Sequence, residues 1–134
     1  MSYEAELLGT HKTLVVVGLS SDSTRPSYRV SQYMQEHGYR IIPINPSESE
    51  VLGERCYPSL ADVPGPVEFV DVFRRPEFCA DIAREAVAAG ARVLWLQLGI
   101  SSAEARAIAE GAGLDYVEDR CVLVVHRDEL TPRT

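Results

Sequence analysis

Residues 14–45 set out a buried strand, a glycine turn, a helix and a second strand, and no other stretch constrains the fold as much. The run is Leu14-Val15-Val16-Val17-Gly18-Leu19-Ser20-Ser21-Asp22-Ser23-Thr24-Arg25-Pro26-Ser27-Tyr28. Four apolar residues end at a glycine, hydroxyls follow, and Arg25 precedes a proline suited to the first turn of a helix. Backbone N–H groups at such a helix start lack partners, and the helix dipole favours an anion there. The turn therefore points to a nucleotide-bearing ligand.

The rest of the chain repeats the alternation. A short leading helix is expected over 3–9 and a strand over 13–17. A helix follows from 26 to 37, with Gly38 as its stop, then a strand over 40–44 that ends in the turn signal Asn45-Pro46. Residues 47–65 read as irregular, with one helical turn near 59–63. A strand over 67–73 leads into a helix opened by Pro76 and closed near Gly90. After a strand over 92–97, Ser101 and Glu104 form a capping box for the next helix. Residues 114–117 and 121–125 read as one or two last strands, and 127–134 as a loose tail. Strands alternating with helices imply an α/β fold, a doubly wound and mainly parallel sheet of about five strands with helices on both faces. Ligands of such sheets sit beyond the carboxyl ends of the strands. Those ends fall at Gly18–Ser21, Asn45-Pro46, Phe73–Arg75 and Gln97–Gly99.

Charge and cysteine content narrow the classes. The 134 residues suit one domain, and their net charge of -7 disfavours a general nucleic-acid binder. Apolar runs of about five residues are too short to span a membrane. The acidic N-terminus has no secretion pattern, so cytoplasm is the expected location. Cys56, Cys79 and Cys121 form no close pair, which disfavours a disulfide framework or zinc site. Trp95, Cys56 and Cys79 read as packing residues. Cys121 reads as a buried structural thiol or, more sharply, as a partner for a thiol ligand.

The dinucleotide fingerprint needs three glycines and an acid after the second strand. Only the first glycine is present, and Asn45-Pro46 stands where the acid would be. A carboxylate there would repel a phosphorylated ribose, so its absence suits NADP or coenzyme A better than NAD. The segments VVVGLSSDSTRPSY, PINPSESEVLGERCYPSL, VDVFRRPE, LWLQLGI and DRCVLV occur in that order. Together they resemble the small stand-alone CoA-binding proteins, relatives of the CoA-binding domain of the succinyl-CoA synthetase α subunit. The resemblance covers residues 8–126 and implies a Rossmann-like domain that holds coenzyme A or an acyl-CoA. By position, Gly18, Leu19, Ser20 and Ser21 would line the phosphates, with Arg25 assisting. Asn45, Pro46 and Ser47 would lie near the ribose or its 3′-phosphate. Val72, Phe73 and Arg74 would flank the adenine, and Gln97, Leu98 and Gly99 would face the pantetheine arm. The synthetase has lysine in the loop matching Ser47–Glu48 and this chain does not, so the resemblance leaves the 3′-phosphate partner open, with an arginine as one candidate.

No paired catalytic carboxylates stand out, so the reading is a binding domain without demonstrated catalysis: a carrier, a sensor or a subunit awaiting a protein partner. The alternatives are an NADP-linked small oxidoreductase or reductase fragment, and a flavodoxin-like regulatory domain. The receiver type of the latter needs an acidic cluster after the first strand, where only Asp22 is near.

Overall fold

The computed structural model describes residues 1–131. Five parallel strands make the sheet: β1 (Thr13–Val17), β2 (Arg40–Ile44), β5 (Phe69–Val72), β6 (Val93–Leu96) and β7 (Asp115–Val117), in the order β2-β1-β5-β6-β7. A separate two-stranded hairpin, β3 (Glu50–Val51) with β4 (Glu54–Arg55), occupies part of the segment expected to be irregular. The expected helical turn follows, as a 3₁₀ turn at Leu60–Asp62. The chain moves from β1 to β2 on one side and then crosses to β5 on the other. The strand order thus reverses between β1 and β5.

Helices cover both faces, as the alternation implies. The pleat sends Leu14 and Val16 to one face and Val15 and Val17 to the other. The first face packs on α1 (Tyr3–Thr10), α2 (Pro26–Glu36) and α5 (Val122–Val125), through Leu8, Val30, Met34 and Val122. The second packs on α3 (Pro76–Ala88) and α4 (Ala103–Gly111), through Cys79, Ile82, Ala83, Ala86, Ala105 and Ala109. Pro26 and Pro76 open α2 and α3 in the first turn, and Gly38 follows the α2 cap with φ +92°. Trp95 is fully buried. Among the described residues no helix is long and apolar enough to cross a membrane.

Three local expectations need correction. The cap of α4 is Ser102, whose hydroxyl accepts the Ala105 N–H at 3.1 Å, one residue later than Ser101. Residues 122–125 are helical, not a strand. Their β-branched run is consistent with either state. In the fold Val122 and Val125 turn together into the α1–α2 layer, a helical spacing, while β7 ends the sheet. Nor is the chain loose from 127: a π-helical turn, His126–Leu130, continues α5. The Ser2 backbone N–H and hydroxyl both donate to the Glu129 carboxylate, at 3.1 and 2.8 Å. Residues 132–134 of the expected tail lie outside the described residues.

His126 anchors this C-terminal turn. It is buried, its Nδ1 lies 3.0 Å from the Tyr33 hydroxyl, and His37 and Tyr39 pack edge-on against its ring. Burial, then the nearby His37 and Lys12, hold its pKa below the ordinary histidine value. The unfolded chain therefore takes up this proton first. The stability it protects is complete above about pH 6.5 and declines as pH falls toward the lower folded-state value. Urea midpoints measured from neutral to mildly acidic pH should fall, and fall less steeply in His126→Gln. Parallel profiles for the two proteins would show that His126 does not carry the effect.

Candidate functional site

The reversal between β1 and β5 opens a cavity of about 590 Å³ at the carboxyl ends of the strands, within the usual size of a small-molecule site. Gly18 and Ser20 come from the β1 turn, Arg25, Ser27 and Val30 from the start of α2. Phe73, Arg74 and Arg75 follow β5, Gln97, Leu98 and Ile100 follow β6, and Cys121 precedes α5. A smaller hollow of about 150 Å³ includes Pro46, Ser59 and Glu85 in its wall, and Arg74 borders both spaces.

Gly18 is required by packing. Its φ is +87°, and a Cβ there would sit 2.4 Å from the Phe73 carbonyl oxygen and 3.0 Å from Arg74 Cδ. Its N–H is bound to the Ile44 carbonyl at 2.9 Å. The sequence gives this glycine to phosphate approach. In the structure it admits the Phe73 backbone just after β5, which lets the β1 and β5 ends come together.

The turn that follows satisfies much of its own backbone. The Ser27 hydroxyl accepts the Ser20 N–H at 3.1 Å, and the Ser20 hydroxyl accepts the Asp22 N–H at 3.0 Å. Glu48 reaches across from the β2 side, and its carboxylate accepts the Ser21 N–H at 2.7 Å. A carboxylate therefore does bind this turn, supplied by Glu48 and not by position 45 or 46. Its position also shows that the Ser21 amide can hold an anion. Past Pro26, the first N–H groups of α2 have no intrahelical acceptor. Around them stand Arg25, 3.8 Å from Asp22, Arg75, 3.9 Å from Glu77, and Arg74 over the Phe78 ring at 4.4 Å. Exposed ion pairs of that length are weak and easily rearranged. An anion thus meets a locally basic rim on an acidic protein.

The inner wall is polar and buried. Gln97 donates from Nε2 to Asp71 Oδ1 at 2.5 Å, and its Oε1 accepts the Val122 N–H at 3.4 Å. Burial, against the opposing Gln97 bond, pushes the Asp71 carboxyl up to about 7. Cys121 is half-buried beside this wall and is not in a disulfide.

Of the residues named from sequence, Gly18, Ser20, Arg25, Phe73, Arg74, Gln97 and Leu98 share the large cavity, and Pro46 lines the small one. The side chains of Leu19 and Val72 are buried in the core. Asn45 ties two loops together: its amide donates to the Leu19 carbonyl at 3.1 Å and its oxygen accepts the Ser47 N–H at 2.9 Å. Gly99 gives its N–H to the Asp119 carboxylate at 2.7 Å. Ser27, Val30 and Ile100 join the cavity without a sequence-level role. Ser27 sits right after the helix-opening proline, and that position was the available signal.

The comparisons with known proteins concern the family and the fold. A family model described as a CoA binding domain matches residues 12–127. The uncharacterized protein YneT of Bacillus subtilis is 40% identical over 121 residues, covering 90% of each chain. The ADP-forming acetate–CoA ligase II of Archaeoglobus fulgidus is 28% identical over 82 residues, which are 57% of this chain and 12% of that protein. A solved structure of a hypothetical protein from Pyrococcus horikoshii superposes with a TM-score of 0.92 at 38% identity, over 96% of this chain and 90% of the other.

Gly18→Ala should lower stability by at least ~2 kcal/mol, combining a left-handed backbone with a clash against main chain. Gly38→Ala, at φ +92° with open space around it, should cost only about 1 kcal/mol. Equal losses in urea unfolding would remove the packing role given to Gly18.

Proposed function

We propose that this chain, which belongs to the CoA-binding domain family, binds coenzyme A or an acyl-CoA across the cavity between the β1 and β5 ends. The observation that carries the reading is the anion-ready mouth: a loop amide already holding a carboxylate, an open helix N-terminus and three arginines around one cavity. The residues suit the group. The Ser20–Ser21 backbone and the start of α2 would hold the diphosphate, with Arg25 beside it. Arg74, which borders both hollows, is the arginine we assign to the 3′-phosphate. Gln97, Leu98 and Cys121 would line the path of the pantetheine arm. Asn45, Leu19 and Val72 would support these groups from behind.

When bound, coenzyme A supplies a thiol that carries acyl groups. The chain's own part is to neutralise the phosphates, place the arm along an apolar wall and keep the mouth aligned. We read the role as carrier, sensor or partner-dependent subunit, in the cytoplasm, where free thiols stay reduced. The matched ligase is a much longer protein, so its activity is not assigned to this chain.

Calorimetric titration with coenzyme A tests the proposal. Binding should weaken as salt rises and with dephospho-coenzyme A. Arg25→Ala and Arg74→Ala should each lower affinity about tenfold, with unfolding midpoints unchanged. A wild-type protein that takes up no coenzyme A at low salt overturns the reading.

A further inference from the structure

Among the described residues Asp71 is the only buried carboxylate, and the ligand reading gives it no task. Strand register sets it between Val16 of β1 and Trp95 of β6. The pleat turns it to the face of Phe69 and Trp95, under α1, α2 and α5. There it accepts the hydrogen bond from Gln97 at 2.5 Å, and Gln97 in turn accepts the N–H of Val122, the first residue of α5, at 3.4 Å. Gln97 and Cys121 both stand on the cavity wall.

We propose that Asp71 is a positioning residue: through Gln97 it fixes the cavity's inner wall and the start of α5, and its gain or loss of a proton changes ligand affinity without contact with the ligand. The coupling to affinity rests on the coenzyme A reading; the link between Asp71 and Gln97 does not.

The reasoning is about donors and acceptors. A glutamine amide has one acceptor end and one donor end. The Val122 N–H needs the acceptor end, so the donor end faces Asp71, and Asp71 must accept. An ionised carboxylate does so with either oxygen. A protonated one can still accept from Gln97 through its carbonyl oxygen, but its new O–H finds an acceptor in Gln97 only if the amide turns over, and Val122 then loses its own. An unsatisfied buried polar group is costly. Proton and amide orientation are therefore linked. Burial favours the neutral acid and the Gln97 bond favours the anion, so the carboxyl sits at about 7 with both forms accessible near neutrality.

Other groups also face this wall. From α2 the cavity receives Ser27 and Val30, which do not titrate in this range. Cys121 comes from the α5 side, and Arg25, Arg74 and Arg75 stand at the rim. Farther along the same layer, His126, His37, Tyr33 and Tyr39 contact one another. None of these is a hydrogen-bond partner of Asp71. With Asp71 ionised, the orientation in the structure leaves no carboxyl O–H in need of an acceptor, so affinity should be highest above the transition and fall as pH drops through it.

Two measurements decide the matter. In ligand-free wild-type protein, the Gln97 side-chain amide resonances should shift with a midpoint near that of the Asp71 carboxyl carbon, and the step should be absent in Asp71→Asn. Coenzyme A titrations at about pH 6 and pH 8 should then show a loss on acidification at least about threefold larger in wild type than in Asp71→Asn. Comparison with the variant cancels the titration of the ligand's own phosphate, which is the same for both proteins. A Gln97 signal that stays flat while Asp71 titrates overturns the proposal, as does an equal pH response in the two proteins. If wild type binds no coenzyme A at either pH, the functional reading and the affinity coupling fall together. A Gln97 step seen in that case upholds the positioning link alone.

Discussion

The Phe73 carbonyl oxygen occupies the space where any residue other than glycine at position 18 would carry its Cβ. That contact lets the ends of β1 and β5 come together, with the Phe73 N–H donating to the Val17 carbonyl at 2.9 Å just before it. The strand order reverses at this point, and a crevice forms there because the helices that follow β1 and β5 lie on opposite faces. The cavity, its basic rim and the turn that leads into α2 all hang from this close approach.

The mouth is electrostatically poised. Its acidic protein would repel a polyanion at long range, yet the rim gathers guanidinium groups whose nearest carboxylates are distant or exposed. The loop amides do not wait bare. Hydroxyls and the Glu48 carboxylate satisfy them, which stabilises the turn and makes any incoming phosphate exchange one acceptor for another. Behind the mouth, the Asp71–Gln97–Val122 chain of hydrogen bonds ties the middle of the sheet to α5.

Much of the fold was legible. Pro26 and Pro76 mark helix starts because proline suits the first turn, and Gly38 marks a stop because its backbone is left-handed. Buried apolar strands such as Leu14–Val17 announce themselves by composition. The segment 122–125 did not, since Val122-Leu123-Val124-Val125 fits a strand or a buried helix equally by residue type. Only its packing against α1 and α2 decides. The cap of α4 was misplaced by one residue because Ser101 and Ser102 are both competent caps. At the site, Arg25, Arg74 and Gln97 were found from their position at element ends. Ser27, Val30 and Ile100 were not, because lining a cavity depends on which neighbours leave space.

The sequence alone determined the alternation of strands and helices, the glycine turn after the first strand and the ordered segments that mark the family. These are local properties, carried by periodicity, proline, glycine and charge. Tertiary structure decided that Gly18 serves the Phe73 backbone, that Asn45 braces two loops, that Glu48 caps the Ser21 amide and that Asp71 is buried against Gln97. Each depends on atoms from strands distant in the chain. The pattern within a single segment cannot encode which of them will meet.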